Sequence, residues 1–399
     1  SVAIPSKWML VARDAYSGVL LWKREVSPWE GQFRDFRTGP PELQRLLVAV
    51  DDRVYVTLGY GSPVTALDAA TGETVLTYPN TENTLEILHH NERLFLVVGD
   101  RTPDNTDGAA KPVNPQPEDI WHWWPIYDET LPLERIMTFD AASGELVWQK
   151  DDADTVEMMP TTPAASEDRF YFHNGEEILA LNEATGEEIW RVARPVSRAR
   201  PSWSAPTLVI HDGTVLCGDR AAAPLPEGYE ELETPIPRLV DSNGGIAPEG
   251  KLTAFNAADG APLWESTCRE CYNSPADVLV ADDLVWTGNL VKKPEPGITQ
   301  ALDLRSGEIV RERPRDQDHF NIIMSHHRCY RNKATSKYLV LGRDGVEYID
   351  LETGQGHGNH WTRGACQYGV MPCNGLTYVP PHSCACHVES KLNGYNAFS

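Results

Sequence analysis

The sequence has no apolar run that approaches the roughly 18 residues needed to cross a membrane as a helix. No secretory leader is visible, so the expectation is a soluble mature chain, with or without a leader removed. Basic residues are scarce, 35 Lys and Arg against 58 Asp and Glu, for a formal net charge of −23. The acids are interspersed, which makes an acidic surface rather than an acidic tail. Nucleic acid is excluded as a partner, because binding it needs a basic face. A polyanionic substrate is disfavoured unless basic residues line its cleft. Eight cysteines in 399 residues are too few for a small disulfide scaffold, and no two are adjacent. Long helices are not expected either, since 30 Gly and 30 Pro supply frequent turns. The length would allow two or three domains, but large all-β folds often exceed that rule as one domain.

What the chain does have is a repeat. Its clearest unit runs Leu46–Val50, Val54–Leu58, Val64–Asp68 and Glu73–Tyr78, four short apolar strands separated by Asp- and Gly-containing turns. The last turn recurs as Asp14 to Gly18 with Trp22, Asp68 to Gly72, and Asp140 to Gly144 with Trp148. It recurs again as Asn182 to Gly186 with Trp190, Asn256 to Gly260 with Trp264, Asp303 to Gly307, and Asp350 to Gly354. A final Leu392–Ala397 begins the motif. The spacings are 54, 72, 42, 74, 47, 47 and 46 residues. A four-stranded unit of about 40–50 residues has the size of a propeller blade. Each position has a physical reason. Asp or Asn bonds the turn backbone, Gly supplies positive φ, and a Trp four residues later can cover apolar area between blades.

The motif A-x-D-x-x-[ST]-G-x-x-x-W resembles the quinoprotein-like β-propellers, with repeats named for pyrroloquinoline quinone (PQQ). That group includes PQQ alcohol dehydrogenases and the non-enzymatic propeller of the outer-membrane assembly lipoprotein. The resemblance covers nearly the whole chain and implies the fold more than any activity. The expected architecture is all-β, a single β-propeller domain over residues 1–399. Eight four-stranded blades are expected, with seven as the alternative and the first blade incomplete. The two long spacings place insertions at about 101–131 and 221–248, where function is often carried. The first holds Trp121, Trp123 and Trp124, a candidate platform for stacking sugar rings or a lid folded onto the blades.

The stretch from His319 to His387 holds seven of the twelve histidines and five of the eight cysteines. His382, Cys384, Cys386 and His387, with Cys329, form the candidate metal set, suited to zinc or another transition metal. Their spacing matches neither a zinc-ribbon C-x₂-C nor a haem C-x-x-C-H. Disulfides among Cys329, Cys366, Cys373, Cys384 and Cys386 are the alternative. Cys268 and Cys271 read as a local disulfide or half a metal site.

His326, His327, Tyr330, Arg343, Arg363 and Tyr368 form the candidate catalytic set. An Arg that neutralises a carboxylate, beside a His or Tyr that takes the α-proton, is what β-elimination requires. Some ulvan-lyase-type propellers use these residue types, and the similarity is in residue type only. Each of the six also has a structural reading as a blade-bridging side chain. The segment Gln355 to Trp361, with two glycines and two histidines, stands where an ordinary fourth strand is expected.

The functional expectation is a periplasmic or secreted, carbohydrate-active propeller with a lyase-like reaction and a polysaccharide partner. The alternative is a non-catalytic module that binds a protein. PQQ-dependent oxidation is disfavoured, because the adjacent cysteine pair and an assignable calcium triad are missing. The sequence also fits a piece of a longer multidomain chain.

Overall fold

The computed structural model describes residues 7–27, 44–99, 133–197, 200, 204–221, 249–271, 274–288, 298–313, 330–342, 345–359, 361–381, 392 and 394–399. Both expected insertions fall outside these residues almost entirely. Six four-stranded sheets follow one another, blades 1 to 6 at residues 47–77, 84–150, 164–193, 207–268, 278–312 and 333–359. A three-stranded sheet, blade 7, spans 371–398. Within each sheet the strands are hydrogen-bonded in chain order. A two-stranded hairpin, Met9–Arg13 with Leu20–Glu25, precedes blade 1. A short ladder of Glu270–Cys271 with Ser274–Ala276 follows blade 4.

Sheets of blade size therefore number seven among the described residues, which corrects the expectation of eight. The count of eight treated the Asp14 turn as part of a blade. That turn belongs to the hairpin, whose sheet has two strands. By contact density the chain forms two compact units. One is Ser1–Trp123, Asp128–Asn174 and Leu179–Ile189; the other is Trp124–Tyr127, Gly175–Ile178 and Trp190–Ser399. The boundary runs through blade 3.

Burial within a blade follows strand position. The second strand of blade 4, Thr214–Asp219, is buried at every residue, because side chains on both faces meet other sheets. The fourth strand of blade 2, Leu146–Lys150, buries only Trp148. Apolar clusters form where sheets face each other. Tyr55, Val64 and Tyr78 of blade 1 pack with Ile87, Leu94 and Phe139 of blade 2. Leu85, Phe95 and Trp148 of blade 2 pack with Phe170 and Leu179 of blade 3.

The repeated turn works as its residues predict. The Asp140 carboxylate accepts the amides of Ala142 at 3.1 Å and Ser143 at 2.8 Å, and the Ser143 hydroxyl at 2.8 Å. Donation from the Ser or Thr three residues on holds the carboxyls of Asp14, Asp68, Asp140, Asp303 and Asp350 below the ordinary 3.8. The glycine that closes the turn has a second role. Gly186 has φ +74°, and a Cβ there would stand 2.7 Å from the Trp148 ring. Only glycine allows both the backbone turn and an indole lying on it.

These indoles join successive repeats. Trp22 donates from Nε1 to the Ala69 carbonyl at 2.9 Å, and Trp148 to that of Glu183 at 2.9 Å. Trp190 reaches Ala257 at 2.9 Å, and Trp264 reaches Leu304 at 3.0 Å. Blade 1 substitutes Leu76, which lies against Gly144. Blade 5 substitutes Arg311, which donates to the Leu351 carbonyl at 2.8 Å. Six successive pairs of sheets are thus fastened by one recurring side-chain position. The four indoles combine apolar burial with one satisfied polar contact each, Arg311 supplies the polar contact, and Leu76 supplies apolar contact alone.

Candidate functional site

The seventh junction, between blades 6 and 7, is built differently. In the hairpin and in blades 1, 2, 4 and 5, the outer strand pair contains a bulge just before the turn. The bulge aligns the fastening residue with the residue two before the Asp or Asn. Examples are Ala66 with Leu76, Ala254 with Trp264 and Ala301 with Arg311. Blade 6 lacks the bulge. Val346–Asp350 and Gly356–Asn359 pair without interruption, from Val346 with Asn359 to Ile349 with Gly356. Gly356–Asn359 is therefore a regular fourth strand, which corrects the expectation that this segment displaces one. The aligned pair is Tyr348 with His357, so a small residue and an indole have given way to a phenol and an imidazole.

A cavity of about 690 Å³ opens at this junction. Tyr338, Tyr348, Trp361 and Phe398 give it aromatic walls, and Asn359 and Asn374 supply amides. Among the described residues its lining contains Lys337 and His357 but no Asp or Glu side chain. Trp361 is 51 % exposed, yet its ring is held edge-on by Phe398 at 4.8 Å and 86°. The Tyr348 and Thr377 hydroxyls are hydrogen-bonded at 2.5 Å and tie blade 6 to blade 7. Burial pushes the Tyr348 phenol up, partly offset by that bond.

Of the proposed catalytic residues, the structure describes three. Tyr330 is 3 % exposed. Its ring is clasped by glycine backbone, since a Cβ on Gly364 or Gly369 would meet it at 2.8 Å. Arg363 is likewise 3 % exposed. Tyr368 keeps 43 % of its surface open, and burial of the remainder pushes its phenol up to about 12. His326, His327 and Arg343 lie outside the described residues, as do Trp121, Trp123 and Trp124. The metal set of Cys329, His382, Cys384, Cys386 and His387 lies outside them too. Among the described residues, no group of three or more His, Cys, Asp or Glu is placed to hold a metal ion.

Cys217, Cys268 and Cys373 are free thiols, and Cys366 and Cys373 are not bonded to each other, which corrects the disulfide reading of that pair. The two lie in different settings. Cys373 is exposed at a strand end, and Cys366 is half-buried in the loop that packs on Tyr330. Burial pushes the Cys217 thiol up to about 12, and raises that of Cys268 as well, so both are unreactive core groups.

One polar cluster was not anticipated. Arg200 makes two 2.8 Å bonds to the Asp219 carboxylate, and Arg220 faces Glu270 at 3.2 Å. Ser204 donates to Glu270 and accepts from Arg200, joining the pairs. Burial raises the Glu270 carboxyl, with Arg220 and Ser204 opposing it. The sequence signal was an Asp219-Arg220 pair at the end of an otherwise apolar inner strand. The open junction had a signal as well, because the residue four after Gly354 is Gly358, where the other repeats carry Trp, Leu or Arg.

Comparison with known proteins places this geometry in a family. Nothing among the curated proteins matches. The crystal structure of BamB from Moraxella catarrhalis is similar at 15 % identity and a TM-score of 0.51, over 93 % of this chain and 85 % of that one. The computationally designed protein Ika8 is similar at 12 % identity and a TM-score of 0.54, over 93 % and 86 %. At such identities the likeness shows the fold, a β-propeller. The family described as "Outer membrane protein assembly factor BamB" matches residues 7–111 and 133–270, more than half the sequence, and the chain belongs to that family of PQQ-repeat propellers.

Proposed function

We propose that this chain is an extracytoplasmic binding module, and that the open junction between blades 6 and 7 is its working surface. The observation that carries the reading is the contrast between that junction and the other six. A preformed, aromatic-walled cavity of about 690 Å³ stands where the repeat elsewhere places a fastening side chain. Its size falls in the range of about 300–1,000 Å³ usual for ligand sites. Family membership supports an extracytoplasmic setting and admits a protein partner. No described helix is long and apolar enough to cross a membrane.

The test is binding of extracytoplasmic protein and glycan fractions to the immobilised full chain, alongside His357→Trp, which fills the cavity. A response that disappears in the variant is expected. Equal responses from both proteins would overturn the reading.

A second reading is β-elimination on a uronate polymer. Trp361 and Thr362 line the cavity, and Arg363 follows them in the chain. A phenol near 12 would make the rate climb with pH. The assay is the ultraviolet absorbance of the unsaturated product, and a flat trace across a panel of polyuronates removes the reading. The reading assigns no quinone. The sequence has no adjacent cysteines, and the buried Arg200 and Arg220 already face carboxylates. Zinc at Cys329, His382, Cys384, Cys386 and His387 is proposed on residue types alone, with stoichiometric metal in the purified protein as its test. The hairpin is read as the outer half of an incomplete blade, supported by its Asp14 turn and by the Trp22 bond to blade 1.

A further inference from the structure

The chemistry of the cavity wall narrows the class of ligand. Among the described residues that line this cavity there is no Asp or Glu side chain. Asp350, whose carboxyl Lys337 helps to hold low, is not part of the lining. The charged side chain that does line it is Lys337, whose Nζ sits 5.3 Å from the Tyr338 ring centroid. An ammonium group at the wall of a concave surface can pair with an anion.

The uncharged groups are those that recognise hydroxyls. Asn359 donates from Nδ2 to the Val346 carbonyl at 3.3 Å, and Asn374 from Nδ2 to the Tyr378 hydroxyl at 3.4 Å. Each amide is thereby oriented, with its carbonyl oxygen left as an acceptor. Trp361 provides an open indole face whose position is fixed by the Phe398 edge contact. A flat ring that is both exposed and held in place has already lost the rotational freedom that binding would otherwise remove.

An apolar stacking face, side-chain acceptors and one ammonium group are jointly complementary to a sugar ring bearing an acid. They are less suited to an extended peptide, whose backbone would need a continuous run of donors and acceptors. We infer that the open junction binds an acidic oligosaccharide, with a pyranose ring stacked on Trp361 and its carboxylate directed to Lys337. This inference rests on the binding-module reading and specifies its ligand.

The experiment is calorimetric titration of the full chain with trigalacturonate, with a neutral galactose trisaccharide of the same length, and with an acidic tripeptide. Saturable binding of trigalacturonate is expected, about tenfold weaker in Trp361→Ala and several-fold weaker in Lys337→Gln. Affinity should fall as salt rises. Trp361→Phe keeps a stacking face and should recover most of the binding. Trp361 is half exposed, so the melting temperature of each variant should match the parent and certify the fold. Equal binding by Trp361→Ala overturns the inference, as does equal binding of the neutral sugar. If the tripeptide saturates the cavity and trigalacturonate does not, the inference fails while the binding module stands. If none of the three binds and no fraction binds either, both readings fail.

Discussion

The junction between blades 2 and 3 and the junction between blades 6 and 7 occupy equivalent places in the repeat, yet they do opposite things. At the first, Trp148 is 8 % exposed, touches Phe95 and Phe170, and donates to the Glu183 carbonyl. At the second, His357 is exposed and a cavity remains. The difference is a matter of one backbone residue as much as of side-chain type. The bulge in blade 2 turns the fastening residue into line, and blade 6 has none. A fold that is secured at six places can leave the seventh unfilled.

Substitutions can break that contrast, beginning with the largest effect. Trp148→Ala removes a buried ring and should cost about 3–5 kcal/mol in denaturant unfolding. His357→Ala, on the open side, should stay within about 0.5 kcal/mol. Equal losses would mean that both junctions are structural. Next comes the receiving glycine. Gly186→Ala combines positive φ with a Cβ 2.7 Å from the indole, for about 2–4 kcal/mol. Gly375→Ala has a similar φ of +73° with nothing within 4 Å, and should lose about 1–2 kcal/mol. The gap between them measures the indole contact, and a gap of zero would remove it as a source of stability.

The smallest effect is a pH dependence. Lowered Asp carboxyls contribute stability that is present above their unfolded value and lost as pH falls through the folded one. The Ser143 amide, bonded to the Asp140 carboxylate, should lose hydrogen-exchange protection on acidification below about 3.8. The Thr185 amide, bonded at 3.0 Å to the amide oxygen of Asn182, should keep its protection. Parallel loss at both sites would show that acid acts on the sheets and not on the turns.

The repeat and its turn chemistry were legible because they are local. Asp, Ser or Thr, and Gly fix the turn within five residues, and the Trp follows at constant distance. Blade count was less legible, because the same turn also closes a two-stranded hairpin. Tyr330 and Arg363 are candidate catalysts with a blade-bridging alternative in the sequence, and the burial of Tyr330 comes from glycines at 342, 364 and 369 that only the folded chain brings around the ring. The Arg200–Asp219 and Arg220–Glu270 pairs were hidden because each joins residues from separate segments. The cavity lies between these cases. The glycine at 358, where other repeats place Trp, Leu or Arg, was on view in the sequence, while the ring that faces the cavity, Phe398, comes from the next sheet.

The fastening has a direction. Each of the fastened repeats offers a side chain, an indole in four of them, to the turn that follows, so blades 1 to 5 carry two unlike halves of a connector. A duplicated module inserted within the series would find a partner on each side without further change. One inserted after blade 6 would not, because blade 6 extends no ring to receive it. The same polarity lets such a chain lengthen internally before blade 6 but not directly after it.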